Sequence, residues 1–265
     1  MSRIIGIVSG KGGVGKTTVT ANLGLAMVNQ GMKVTLVDCN VTTSHLGFVF
    51  GLYTYDKTLN DVLKGFSSLQ EAMYNYHGLN IIPASLSLNS LIDLDINVLY
   101  KYVRQIEGDA VLLDSAPGFG KEPMSVLQTS DELIFVTLPY TQAVVDVIKA
   151  NQIAEKLNIK VLGIVLNMVK GLPHELSKRE VEKITGIEVL EEVPYDESIN
   201  LALAFNKPVV EYLPFSPSSL AINRLAAKIT GKSYLFKRES LFSKFVSELR
   251  KLTGRKKVVN LKEIV

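Results

Sequence analysis

The chain has no tryptophan and a single cysteine, Cys39, in 265 residues. One thiol excludes an intramolecular disulfide framework and any zinc or iron–sulfur site built from several cysteines of one chain, and it suits a reducing cytosol. No uncharged apolar stretch approaches the ~20 residues that a membrane-spanning helix needs. Residues 3–9 are apolar, but Gly6 and Gly10 interrupt the run and Lys11 and Lys16 follow it, so no signal peptide is expected. What is present is a 47% apolar composition, enough for one sizeable core, at a length that suits one soluble α/β domain.

Charge is unevenly placed. The net +3 divides into +6 on residues 233–265, which hold nine Lys/Arg against three Asp/Glu, and −3 on the rest. Any acidic partner implied by basicity should therefore meet the tail, and the division suggests a body over 1–232 and a basic tail over 233–265.

Short β-branched and aliphatic runs alternate with longer segments of helical spacing, the pattern of βαβ units around a parallel sheet. Strands are expected at Arg3–Ser9, Lys33–Asp38, Leu79–Ile82, Ala110–Asp114, Glu132–Thr137, Lys160–Asn167 and Glu188–Val193. Most are apolar at every position, as strands covered on both faces are. Helices are expected at Lys16–Gln30, Ser90–Glu107, Thr141–Leu157, Pro173–Thr185 and Ser216–Thr230.

Between the first strand and the first helix, Gly10-Lys11-Gly12-Gly13-Val14-Gly15-Lys16-Thr17 satisfies G-x-x-x-x-G-K-[ST]. Glycines there let backbone N–H groups converge on phosphate oxygens, and the helix N-terminus adds partial positive charge. Lys16 supplies a point charge to the β and γ phosphates, and Thr17 offers a hydroxyl to Mg²⁺. ATP or ADP with Mg²⁺ is the expected ligand, held by this loop together with Thr18.

The whole run SGKGGVGKTT resembles the deviant phosphate loop of the MinD/ParA family of ATPases, and the resemblance extends over roughly residues 1–230. It implies a P-loop NTPase of the SIMIBI type, a mainly parallel twisted sheet flanked by helices. In that family the first lysine reaches across a dimer interface to the partner's nucleotide, which would make Lys11 a trans-acting residue and the working unit an ATP-sandwiched homodimer. Without the resemblance, Lys11 reads as a solvated loop charge. The resemblance further implies that Asp38 ends the first switch near the metal, and that Asp114 in Leu-Leu-Asp-Ser-Ala-Pro-Gly is the Walker B carboxylate. Gly118 would then turn its N–H toward the γ phosphate. It also places Asn167, Pro194 and Asp196 around the adenine. Taken alone, a strand-ending Asn and a turn Asp are ordinary structural residues.

One position departs from the family pattern. The first switch usually reads Asp-x-Asp, whereas this chain reads Asp38-Cys39-Asn40. Asn keeps the size and one acceptor oxygen but cannot take a proton or carry negative charge. With Lys11, Lys16, Asp38 and Asn40 as the catalytic set, the expectation is intact ATP binding with turnover slowed by ~10² or more. Cys39 itself reads as a small buried hydrophobe, and the paired cysteines of the cluster-carrying relatives are missing.

On a helical projection of residues 234–252, Leu235, Leu241, Phe242, Phe245, Val246, Leu249 and Leu252 fall within an arc of about 140°, which Arg238 interrupts. Lysines 237, 244 and 251 centre the opposite face, and Arg255, Lys256 and Lys257 follow. Such a helix suits an anionic membrane interface through residues 234–257, as in MinD-like proteins, or packing on its own domain. The membrane reading makes the protein cytoplasmic and peripherally attached, with an unidentified protein partner. Two tails in an ATP dimer would bind far better than one. The alternatives are a ParA-like DNA-segregation ATPase whose tail grips phosphates nonspecifically, and an ATP-locked scaffold. Residues 258–265 alternate weakly and suggest nothing definite.

Overall fold

The computed structural model describes residues 2–232. The expected tail helix, the 233–265 segment and the weak alternation at 258–265 lie outside the described residues. The strands are β1 (Arg3–Val8), β2 (Val34–Asp38), β3 (Tyr74–Tyr76), β4 (Leu79–Ile82), β5 (Ala110–Asp114), β6 (Glu132–Thr137), β7 (Lys160–Val169) and β8 (Val189–Pro194). The helices are α1 (Lys16–Asn29), α2 (Leu59–Leu63), α3 (Leu99–Val103), α4 (Lys121–Thr129), α5 (Thr141–Lys156), α6 (Lys178–Thr185), α7 (Glu197–Ala204), α8 (Val209–Tyr212) and α9 (Pro217–Thr230).

All eight strands form one sheet in the order β3-β4-β2-β5-β1-β6-β7-β8, parallel except for the edge hairpin of β3 with β4. Period-two geometry sends alternate side chains to opposite faces. Ile5, Ile7, Leu36, Leu112, Ile134 and Val165 join one core, which α1 and α9 cover with Leu23, Leu25, Ile222 and Leu225. Ile4, Val37, Val111, Leu113, Phe135 and Ile164 join a second core, roofed by α2 to α6. The central strands β1, β2, β5 and β6 are mostly apolar because both of their faces are covered. Among the described residues no helix is long and apolar enough to cross a membrane.

The α/β reading with a mainly parallel sheet is correct, and the expected strands are present with ends moved by a residue or two, which is ordinary for element boundaries. Two helices differ. Ser90–Glu107 is not continuous: short 3₁₀ turns at Leu88–Leu91 and Ile96–Val98 precede α3. Ile92 is extended, Asp93 takes a left-handed φ of 57°, and Asp95 turns its carboxylate onto the N–H of Asn97. Short polar side chains compete here with the helical backbone. The expected Pro173–Thr185 helix starts at Lys178, where Ser177 and Glu180 form a capping box. Pro173 lies in the turn before it, and Glu175 accepts the N–H groups of Lys170, Gly171 and Leu172. Sequence pattern alone missed β3, α2, α4, α7 and α8, all short.

Candidate phosphate-binding site

β1 lies between β5 and β6, and its connection to α1 is the phosphate loop. A crevice at the carboxyl ends of strands, where neighbours depart to opposite sides, is the usual ligand position in an open α/β sheet. Gly13 and Gly15 have φ of 78° and 84°, a region that costs other L residues roughly 1–2 kcal/mol. Gly15 has a second constraint, since a Cβ there would lie 2.3 Å from Asn167 Nδ2. It precedes α1 without any side-chain cap, so the first-turn N–H groups of α1 remain donors for a bound anion.

The loop opens on a cavity of about 320 Å³ lined by residues 9 and 11–18 and, opposite, by Asn40, Thr43, His45 and Pro117. Behind its floor, Asp114 at the end of β5 draws together three groups: Lys16 Nζ at 3.4 Å, Thr17 Oγ1 at 2.6 Å and Thr20 Oγ1 at 3.3 Å. The β2–β5 register sets Asp38 beside Asp114. Asp38 is fully buried and accepts from Ser44 Oγ at 2.7 Å and from the N–H groups of Asn40 and Leu46 at 3.1 and 3.2 Å. Burial first, and the Asp114 charge second, push its carboxyl up to about 7 against the pull of those three hydrogen bonds. Among the described residues Lys16 is the one ammonium paired with Asp114. The donor set of two carboxylates and a hydroxyl, all hard oxygens with negative charge to spare, fits Mg²⁺ held jointly with phosphates. Among the described residues no group of three or more His, Cys, Asp or Glu is arranged to hold a metal by itself.

Asn40 is mostly buried and its amide is committed to its own loop. Nδ2 donates to the Thr43 carbonyl at 2.8 Å, and Oδ1 accepts from Thr43 Oγ1 at 3.0 Å. Lys11 is exposed at the cavity mouth, and among the described residues its ammonium has no ion-pair partner. Gly10 lets α5 pack close, because a Cβ there would sit 2.4 Å from that of Asp146. Cys39 is fully buried, and burial raises its thiol well above the usual range.

The residues assigned to the adenine separate into two groups. Asn167, 3% exposed, donates from Nδ2 to the Val14 carbonyl at 2.8 Å and so borders the phosphate loop directly. Pro194 ends β8 opposite Val169, outside the cavity lining. Asp196 caps α7 through the Ser198 N–H at 2.9 Å and accepts Ser218 N–H and Oγ at 3.0 and 2.7 Å, tying the starts of α7 and α9 together. Gly118, expected to face a phosphate, gives its N–H to the Ser9 carbonyl at 3.0 Å. Ser9, Thr43, His45 and Pro117 line the cavity without having been singled out from sequence. Ser9 and Pro117 adjoin recognisable motifs, whereas Thr43 and His45 carry no signal.

Asp196 gives a pH prediction. Partial burial pushes its carboxyl up, but the hydrogen bonds from Ser218 and Ser198 outweigh it and hold the group at about 2 against an ordinary 3.8. Its contribution is therefore complete above pH 3.8 and lost as pH falls toward 2. After discounting for solvent screening this amounts to about 1–2 kcal/mol. Urea midpoints should show Asp196→Asn less stable at neutral pH, with the gap to wild type closing in that acid window. A gap that stays constant would contradict this.

The ParA family model, described as NUBPL iron-transfer P-loop NTPase, matches residues 1–230. An uncharacterized ATP-binding protein of Methanocaldococcus jannaschii is 34% identical over 256 residues, covering 94% of this chain and 97% of its own. Among solved structures, the cell division ATPase MinD of Pyrococcus furiosus superposes with a TM-score of 0.84 at 31% identity, covering 87% of this chain and 99% of that one. The septum site-determining protein MinD of Pyrococcus horikoshii, complexed with Mg-ADP, gives 0.83 at 32% identity, covering 86% and 96%. MinD of Aquifex aeolicus in a MinC:MinD cell division complex gives 0.77 at 27% identity, covering 89% and 99%.

Proposed function

The chain belongs to the MinD/ParA family of P-loop ATPases, and from that premise we propose that it is a MinD-like switch driven by ATP. It binds ATP with Mg²⁺, pairs with a second copy across the nucleotide, and hydrolyses ATP slowly. In the ATP state it attaches peripherally to the cytoplasmic membrane and recruits a protein partner. The observation that carries this reading is the unequal pair of lysines. Lys16 is buried and drawn to Asp114, placed for the chain's own phosphates. Lys11 stands exposed at the mouth, available to a nucleotide held by another chain.

Within one site, loop N–H groups and Lys16 take the phosphates while Thr17, Asp38 and Asp114 hold Mg²⁺ directly or through water. When bound, Mg²⁺ would supply positive charge against the phosphates. Asn167 lies near enough to the loop to border the base. Asn40, with its amide turned onto Thr43, supports slow turnover. The ADP-bound P. horikoshii MinD and the MinC-bound A. aeolicus MinD support the nucleotide and a protein partner respectively. Iron transfer is not carried over from the family description, since one fully buried cysteine provides no thiolate pair.

Light scattering and liposome co-sedimentation test the reading together. With ATP the wild type should form dimers and pellet with anionic vesicles. It should do neither with ADP, Lys11→Ala should stay monomeric, and a chain truncated after Ser233 should dimerise without pelleting. Equal pelleting of wild type with ATP, wild type with ADP and the truncated chain removes the membrane role. Retention of plasmid DNA on filters with a steep salt dependence would favour the DNA-segregation alternative.

A further inference from the structure

The loop after β2 holds a group that none of the roles above uses. Asp38 anchors both neighbours of His45, accepting from Ser44 Oγ and from the Leu46 N–H. Leu46 is fully buried, so the backbone is held on both sides while the imidazole stands exposed on the cavity wall. Phe48 meets its ring edge-on at 6.2 Å and is itself stacked on Tyr53 at 5.6 Å, which restricts where the imidazole can turn.

The ionisable side chains lining the cavity are Lys11, Lys16 and His45. A lysine ammonium only donates, and the Asn40 carboxamide, held on Thr43 through Nδ2 and Oδ1, is not a base. His45 is therefore the ionisable side chain of the cavity lining that can offer a ring nitrogen as proton acceptor. The other charged groups facing this loop are Asp38 and Asp114 beneath it and Glu122 of α4, which accepts from Thr42 Oγ1 at 2.5 Å.

We propose that His45 takes over the hydrolytic water in place of the missing switch carboxylate, so that ATP turnover depends on the protonation of one imidazole. This rests on the ATPase reading above. Neutral His45 accepts a hydrogen bond from the water. The water oxygen forms a bond to the γ phosphorus, the bond from that phosphorus to the β–γ bridging oxygen breaks, and ADP leaves with its electron pair. The water proton passes to the imidazole and from there to the phosphate product or solvent. ATP and water become ADP and inorganic phosphate. A protonated imidazole has no free acceptor nitrogen, so protonation of His45 closes this path.

The test is steady-state phosphate release by the full chain with saturating ATP and Mg²⁺, across pH about 5.5 to 8.5, beside equilibrium binding of a fluorescent ATP analogue. Wild-type turnover should rise with pH through the imidazole range. His45→Asn and His45→Gln should each be slower by ~10²-fold and lose the part of the pH rise that the imidazole supplies, keeping only the part that the Asp38 carboxyl contributes, with analogue affinity within about twofold of wild type. In an Asn40→Asp background the same substitutions should cost less than about threefold, since a carboxylate then does the work. Equal pH profiles for wild type and both variants, or equal losses in the two backgrounds, overturn the assignment. Wild type that binds ATP but does not hydrolyse it at any pH overturns it too and leaves ATP binding standing. Wild type that binds no ATP removes the ATPase reading itself.

Discussion

Lys16→Ala is expected to weaken ATP binding by ~10²–10⁴-fold, since each hydrogen bond from a charged group to phosphate is worth roughly 1.5–3 kcal/mol and Lys16 is proposed to meet two phosphates. The site makes this larger than loss of a surface lysine. Lys16 is 7% exposed, and among the described residues its ammonium is the one cation paired with Asp114. Removing it leaves Asp38 and Asp114 adjacent at the ends of paired strands without that counter-charge, a situation that buried groups relieve by taking up a proton. With the raised Asp38 carboxyl of the pair protonated, the site would hold Mg²⁺ less well, and that loss adds to the loss of phosphate contact. Titration of a fluorescent ATP analogue measures the effect, and far-ultraviolet circular dichroism checks that the variant is folded. Binding within about threefold of wild type would contradict this role for Lys16. Lys11→Ala is the contrasting case: a single chain should keep its ATP affinity and lose only the paired state.

Asn40→Asp is expected to act in the opposite sense, raising turnover by ~10²-fold. An aspartate can still accept from Thr43 Oγ1 with one oxygen, as Asn40 does. It cannot donate to the Thr43 carbonyl, which Nδ2 now satisfies at 2.8 Å. Two oxygens facing each other repel, so the second carboxylate oxygen turns away from Thr43 and toward the cavity, where a water can be held. The same change sets a third carboxylate beside Asp38 and Asp114. The variant should therefore be less stable than wild type without Mg²⁺ and recover when the ion is added. Phosphate release at saturating ATP, alone and with the partner protein, is the measurement. No increase in either condition would end the case for Asn40 as the cause of slow turnover.

Most of what could be read beforehand was local. The phosphate loop is contiguous, and its glycines, lysine and threonine declare their use because the backbone geometry of anion binding admits few residue types. The buried strands were equally legible, since runs such as residues 110–113 have no polar position to expose. Short elements were harder. α2 and α8 give less than two helical turns, too few for periodicity to register, and the Ser90–Glu107 segment has helical spacing of apolar residues but is broken by Asp93 and Asp95, whose side chains and backbone choose local turns. The capping box at Ser177 and Glu180 was present in the sequence and would have given the start of α6 correctly.

Residues that lie together only in three dimensions divide along the same line. The roles proposed for Lys16 and Thr17, toward phosphate and metal, could be inferred from eight consecutive positions. That Asp114, 98 residues beyond Lys16, is the carboxylate meeting both is a consequence of β1 lying against β5. Asp38 joins them because β2 lies on the other side of β5, and Asn167 reaches Val14 across 153 positions. Pairing of strands depends on the burial of whole faces and on the handedness of crossovers, and no short window of sequence encodes it. The sequence by itself therefore determined the chemistry of the loop and the absence of a carboxylate at position 40. The tertiary structure decided which way Asn40 faces, that Asp196 is spent on Ser198 and Ser218, and that His45 stands on the cavity wall. Those outcomes depend on which neighbours fill a side chain's hydrogen-bonding capacity, and those neighbours are brought together by the sheet.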